Sequence, residues 1–286
     1  MTIYSGLHKK NLKNNKMWLG TELYSGSFGK KYTFKEFKTL IDFCSEIGLY
    51  KIDTAECYGN YFPIEKMLGD ALYKKRANFI LATKFGHIYT NKKKIEKFNL
   101  KSVQKQLENS LRNLRTDYID IYYFHSGENH EFDNDELWSF LNKMKKKGIL
   151  KELGLSLKHS LVIGNDYNQL NKSKDFGITT VQTVLNKYSQ HSLDYVIPFC
   201  KKNNIKILGR MPLAKGLLSG KYSIHHKFSD SDDRSINYPL TKKILSTHKD
   251  VDYREALVWS KQFVDEIVIG SKNKKQIMEN FSQINL

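Results

Sequence analysis

Four side chains with complementary chemistry stand at or just past the ends of apolar, β-prone segments. Asp53 lies in YKIDTA, Lys84 closes FILATK, His125 closes YIDIYYFH, and Tyr58 follows Asp53 in the turn before Gly59. A carboxylate, an ammonium, an imidazole and a phenol brought together make a proton donor for a carbonyl oxygen. A free phenol, with a pKa of about 10, is a weak acid at neutral pH, and a neighbouring Lys84 ammonium is expected to bring that value down toward working pH. Asp53 would keep the lysine charged and in place. His125 would donate a hydrogen bond to the substrate oxygen as negative charge develops there. Each residue type also suits a structural role: Asp53 as a turn cap, Lys84 on the surface, Tyr58 packed on a rim, His125 as a satisfied core histidine. Four of them at consecutive strand ends favour a site.

Such a set works only in a fold that brings successive strand ends together. Eight β-prone segments alternate with helical patterns: residues 17–21, 50–55, 79–84, 118–125, 149–156, 179–184, 205–210 and 266–270. Thr33 with Glu36 forms a capping box ahead of an apolar face of Phe34, Phe37, Leu40, Ile41 and Cys44, which Gly48 ends. Pro63 opens the next helix, and Val103, Leu107, Leu111 and Leu114, then Leu137, Leu141 and Met144, repeat at helical spacing. The expectation is an α/β fold, a single (β/α)8 TIM barrel filling residues 1–286 as one domain. An open doubly wound sheet that bound a dinucleotide would carry a GxGxxG turn after its first strand, and the sequence has none there. In a barrel the carboxyl ends of the strands share one mouth, and the long connection 211–252 falls on that ligand-binding face. The start of the chain is expected to form a small β-hairpin closing the barrel's bottom, with Trp18 as its plug.

Composition narrows the partners. Hydrophobic residues make up 40% and charged residues 27%, and no run approaches a membrane span, so a soluble protein is expected. The first residues lack the apolar core of a secretory signal, which makes the cytoplasm the expected location. Cys44, Cys57 and Cys200 are odd in number and scattered, so neither a disulfide framework nor a metal site is expected. The net charge of +17 is spread along the chain without a basic helix or an RNA-binding aromatic pattern. That speaks against nucleic acid and membrane partners and leaves two readings of the charge, a basic surface that attracts phosphorylated ligands or lysine enrichment with no binding role.

IDTAECYG (52–59), ATKFG (82–86), SLRNLRTDYIDIYYFH (110–125), KGILKELGLS (147–156), PLAKGLLSGKY (212–222) and IGSKNKKQIMEN (269–280) together resemble the aldo-keto reductase superfamily. The likeness runs in the family's order and spacing from Trp18 to Asn280. It implies a barrel that binds NADP(H) in extended form and moves hydride between the nicotinamide and a carbonyl or alcohol. Tyr58 matches the family's general acid, Lys84 and Asp53 the pair that tunes it, and His125 the residue that positions the substrate oxygen. Without the family, IVIGSKNKKQIMEN already reads as a strand ending at Gly270 before a polar helix start, where free N–H groups, the helix dipole and Lys272 suit a phosphate. The resemblance puts Lys272, Gln276, Glu279 and Asn280 at the adenosine end with its 2′-phosphate. It puts Met211, Pro212 and Leu213 along the pyrophosphate, with N–H groups from Leu213 and its neighbours and charge from Lys221. Ser156 and Gln182 match positions that hold the nicotinamide amide, and Thr21 and Asp53 also count as cofactor contacts.

Two departures from the family pattern stand out. Ser156-Leu157 replaces a frequent Ser-Asn, which removes one amide contact. Arg210 replaces the Tyr or Trp that often stacks on the nicotinamide. A guanidinium can stack on the neutral reduced ring for roughly 0.5–2 kcal/mol and repel the cationic oxidised ring by up to about 4 kcal/mol. Arg210 is therefore expected to favour NADPH and reduction, unless it turns away toward an anionic group. Tyr24, Phe28, His87, Tyr89, Lys92 to Lys94 and His130 are expected around the mouth, where they suit either a solvated rim or a small carbonyl or sugar substrate, anionic ones included. An oxidative NADP-dependent dehydrogenase and a non-catalytic cofactor-binding regulatory subunit are the competing readings.

Overall fold

Side chains alternate between the two faces of a strand, so one face of every barrel strand points into the barrel and the other meets the helices. The computed structural model describes residues 15–59, 63–90, 93–230, 232–247 and 251–286. Its strands are β1 (Met17–Gly20), β2 (Lys51–Asp53), β3 (Ile80–Phe85), β4 (His87–Thr90), β5 (Lys93–Glu96), β6 (Ile119–His125), β7 (Leu150–Ser156), β8 (Ile178–Val184), β9 (Lys206–Arg210) and β10 (Glu266–Ile269). All except β4 and β5 form one closed parallel barrel in the order β1-β10-β9-β8-β7-β6-β3-β2. Each barrel strand lies within a residue or two of its expected bounds. β4 and β5 pair with each other as an antiparallel hairpin after β3, where the sequence suggested a loop. The expected N-terminal hairpin lies outside the described residues.

The alternation divides the core in two. Inside the barrel, Trp18, Ala82, Ile121, Tyr123, Leu208 and Val268 pack as one cluster. Residues of the opposite parity, such as Leu19, Ile52, Leu81, Tyr122, Leu155 and Ile207, pack outward in the larger cluster that includes the helices. Trp18 is a β1 residue of the inner cluster, and its Nε1 donates to Glu266, which also pairs with Lys51 at 2.7 Å. Gly154 is a glycine for a packing reason: a Cβ there would lie 2.3 Å from the Tyr123 ring, which occupies the barrel interior.

The helix Phe34–Glu46 begins with the expected capping box, in which Thr33 and Glu36 each accept from the other's backbone. Phe37, Leu40, Ile41 and Cys44 are buried, but Phe34 is exposed, because the first turn of the helix projects beyond the core. Pro63 caps the helix Ile64–Ala71. That helix meets the helix Leu100–Leu114 backbone to backbone: a Cβ on Gly69 would sit 2.1 Å from the Asn113 carbonyl oxygen. Among its described residues the connection 211–252 holds a 3-10 turn, Ala214–Gly216, and the α-helices Asp233–Ile236 and Tyr238–Thr247.

A buried carboxyl ties the helix Ile64–Ala71 to β3. Glu65 is fully buried and accepts from Thr83 Oγ1 at 2.6 Å. Burial pushes its pKa from the ordinary 4.5 up to about 7. The folded state therefore holds a proton on Glu65 that the unfolded state releases. This contribution to stability is fully present below about pH 4.5 and is lost as pH rises through about 7; its size is about 3 kcal/mol. Urea unfolding at several pH values is expected to show that loss in the wild type and a flatter profile in Glu65→Gln. Gly69→Ala is expected to destabilise by roughly 1–3 kcal/mol or more in the same assay, because the obstacle is a backbone atom that cannot rotate away.

Candidate active site

The inward parity of Asp53, Lys84 and His125, the last, penultimate and last residues of β2, β3 and β6, brings them to the same end of the barrel. Lys84 Nζ lies 2.6 Å from Asp53 Oδ1, 2.6 Å from the Thr54 carbonyl oxygen and 3.3 Å from Tyr58 Oη. Those three acceptors match the three N–H bonds of an ammonium. Since Lys84 donates to the Tyr58 oxygen, the phenol's own proton points elsewhere. The turn that carries Tyr58 is set by its N–H donating to the Ala55 carbonyl. Asp53 also accepts from Gln182 Nε2 at 2.5 Å across the barrel. The Lys84–Asp53 pair is almost completely buried, so its strength depends on these added hydrogen bonds.

The electrostatics differ from the sequence expectation in one respect. Burial pushes the Tyr58 phenol well above its ordinary value, and Glu22 and Asp53 push in the same direction. The Lys84 ammonium at 3.3 Å, itself paired with Asp53 at 2.6 Å, does not outweigh that burial. Tyr58 is a neutral, proton-bearing phenol. Burial, then the cations Lys84 and Lys94, hold His125 well below the usual histidine range, so its ring is neutral at physiological pH.

These residues lie at the inner end of a cavity of about 580 Å³, the size of a typical small-molecule site. Every residue that the sequence marked as catalytic or cofactor-binding lines it. Gln182 Oε1 is buried without a hydrogen-bond partner, an orphan acceptor suited to the N–H of a carboxamide. Lys221 and Lys272 supply cationic groups farther along the wall. The donor set and the orphan acceptor fit an extended nicotinamide dinucleotide.

Several expected contacts are already engaged within the protein. Gln276 Oε1 accepts from the Lys272 backbone at 2.8 Å, Asn273 Oδ1 accepts from the Gln276 backbone at 2.9 Å, and Asn280 donates to Ser271 Oγ at 3.0 Å. The helix start is therefore less open than its sequence suggested. Ala214, Gly216, Leu217 and Leu218 near Leu213 likewise use their N–H groups in internal turns. Met211, Ala214 and Lys215 hold left-handed φ values of 59°, 46° and 58°, which strain non-glycine residues. Thr21 donates to the Asp53 carbonyl through both its N–H and its hydroxyl.

Arg210 is tethered rather than free. Its Nη2 donates to the Leu157 carbonyl at 3.0 Å, Nη1 lies 3.5 Å from Met211 Sδ, and Nε is buried without a partner. Burial lowers its pKa, opposed by Tyr58, Glu22 and Asp53. Leu157, which breaks the family's Ser-Asn pattern, thus keeps a polar role through its backbone while its side chain is buried.

The mouth differs from its sequence description. Phe28 and Lys94 line the cavity, but Tyr24 is buried and donates to the Ser271 carbonyl. His87 is buried against the His125 ring, and Tyr89 and His130 are exposed. Lys92 lies outside the described residues. Sequence reasoning missed Glu22, Ser126, Lys215, Tyr222, Arg234 and Tyr253 as lining residues. The length of the 211–252 connection signalled that Tyr222 and Arg234 belong to this face; Tyr222 closes the PLAKGLLSGKY motif without being marked in it, and no motif contains Arg234.

The profile of the Aldo/keto reductase family matches residues 16–286. The aldo-keto reductase YhdN of Bacillus subtilis is 26% identical over 87% of this chain and 75% of its own. Among solved structures, the glycerol dehydrogenase AKR11B4 from Gluconobacter oxydans superposes with a TM-score of 0.77 at 23% identity, over 94% of this chain and 86% of that one. The aldo-keto reductase AKR11C1 from Bacillus halodurans does so with a TM-score of 0.74 at 22% identity, over 95% and 87%. Extending over the barrel and all the residues around its mouth, the family match leaves one conclusion: the chain belongs to the Aldo/keto reductase family, a family of oxidoreductases.

Proposed function

We propose that the protein reduces an aldehyde, ketone or keto sugar to an alcohol with NADPH, using Tyr58 as general acid. The observation that carries this reading is the contact of Lys84 Nζ with both Asp53 and Tyr58 Oη at the inner end of a cavity whose wall continues to Lys272. A bound reduced nicotinamide supplies the hydride. Tyr58 supplies the proton: burial keeps it on the phenol until a carbonyl oxygen gains charge. Lys84, 3.3 Å from Tyr58 Oη, stabilises the phenolate left behind, and Asp53 holds Lys84 in place. His125, neutral, donates a hydrogen bond to the substrate oxygen without competing as a proton source. Gln182 and Ser156 would hold the nicotinamide amide. Lys221, Lys272, Gln276, Glu279 and Asn280 would hold the phosphate and adenosine end, the last three with modest rearrangement of their present hydrogen bonds.

Oxidation of an alcohol by NADP+ is the second reading, favoured by the structural likeness to a glycerol dehydrogenase. Arg210 opposes it, because a tethered guanidinium beside the ring would repel the oxidised cation.

A panel of aldehydes, ketones and keto sugars, followed by loss of NADPH absorbance, tests the reading. Tyr58→Phe is expected to lower kcat by roughly 10²–10⁴-fold with little change in NADPH affinity. Turnover that survives in Tyr58→Phe would show that another group donates the proton. For Arg210→Tyr, fluorescence titration is expected to show the ratio of NADP+ to NADPH dissociation constants falling by about tenfold, the equivalent of about 1.4 kcal/mol. An unchanged ratio would remove Arg210 from the choice of direction.

A further inference from the structure

His125 can donate to a substrate oxygen only if its proton sits on the ring nitrogen that faces the cavity. A neutral imidazole carries one N–H, and the partner of the other nitrogen decides where that proton resides. In this protein Nδ1 of His125 lies 3.8 Å from Cys57 Sγ, within the range of a sulfur hydrogen bond. We propose that Cys57 is a positioning residue: its S–H donates to His125 Nδ1 and so locks the ring in the tautomer that carries its proton on Nε2, free to donate to the substrate oxygen. The catalytic use of this tautomer rests on the proposed reduction, whereas the lock itself rests on the geometry around the ring.

The surroundings determine which way the hydrogen bond runs. Cys57 is 5% exposed, and burial pushes its thiol up to about 11, so the sulfur keeps its proton at neutral pH. A neutral thiol is a weak donor and a poorer acceptor, whereas an unprotonated imidazole nitrogen is a good acceptor, so S–H to Nδ1 is the favoured sense. The other neighbours fix the ring plane without supplying that donor. His87 packs edge to face at 4.9 Å between centroids, and burial lowers its pKa to about 4, so it brings no charge. The Tyr58 ring stands at 6.1 Å, also edge to face. Cys57 and Tyr58 are adjacent in one turn, so a single short segment would place the proton donor and set the hydrogen bonding of the residue that orients its acceptor.

The test is long-range 1H–15N correlation NMR on the full-length protein labelled with 15N-histidine, with His125→Asn assigning the His125 signals. The wild type is expected to show unprotonated Nδ1 and protonated Nε2. Cys57→Ala and Cys57→Val should move a measurable fraction of the ring to the other tautomer, and Cys57→Ser, which restores a donor, should return it. With 4-nitrobenzaldehyde and NADPH, Cys57→Ala is expected to lower kcat about tenfold while the KM for NADPH holds, and Cys57→Ser should recover most of the loss. A wild-type His125 protonated on Nδ1, or a tautomer unchanged in both Cys57→Ala and Cys57→Val, would overturn the proposal. A wild type that reduces no carbonyl while the spectra change as expected would instead overturn the proposed reaction and leave the lock standing.

Discussion

The ammonium of Lys84 is the constraint on which the site depends. It is 2% exposed, too deep for water to satisfy, and a buried charge is tolerated only when paired and hydrogen-bonded. Its three partners come from β2, the residue after it and the turn beyond, so the lysine is satisfied only when β2 and β3 are in register and the turn at Tyr58 is formed. Removing one partner of a buried ion pair typically costs about 3–5 kcal/mol, a large part of a domain's net stability. The phenol is therefore not added to a finished fold; its oxygen is one of the ammonium's three acceptors. Gln182 extends the same network across the barrel by holding the other Asp53 oxygen.

Most of the fold was legible because it rests on two periodicities. Strand alternation predicts that Asp53, Lys84, His125, Ser156, Gln182 and Arg210 point inward, and helical spacing predicts the buried stripe Phe37, Leu40, Ile41 and Cys44. Features governed by tertiary distances escaped. The β4–β5 hairpin has no tight-turn signature in the sequence, and Phe34 has the right spacing but sits where the helix overhangs its support. The direction of the Tyr58 shift escaped for a similar reason. Sequence gives the charge of Lys84 but not the 2.6 Å contact with Asp53 that offsets part of it, nor the burial that outweighs it. Cys57 read as one of three unpaired thiols, since nothing along the chain relates it to a histidine 68 residues away.

The far wall of the cavity is built on a different principle from its floor. Along the 211–252 connection the backbone takes left-handed conformations at Met211, Ala214 and Lys215, each costing of order 1–3 kcal/mol, which persist only when the surroundings enforce them. Arg234 provides that enforcement. It makes a two-point contact with Asp232, lies 4.2 Å from the Phe228 ring centroid and 4.8 Å from that of Tyr222, and donates to the Lys215 carbonyl at 3.5 Å. Next to it, the Asp233 N–H reaches the Ser27 carbonyl, and Lys215 pairs with Asp233 at 3.2 Å. The connection after β9 is thus fastened to the one after β1, with Phe28 between them on the cavity wall. At the floor a buried ammonium is held by two adjacent strands and a turn, whereas at this wall a buried pair, Asp232–Arg234, a half-exposed pair, Lys215–Asp233, and aromatic contacts hold a strained backbone.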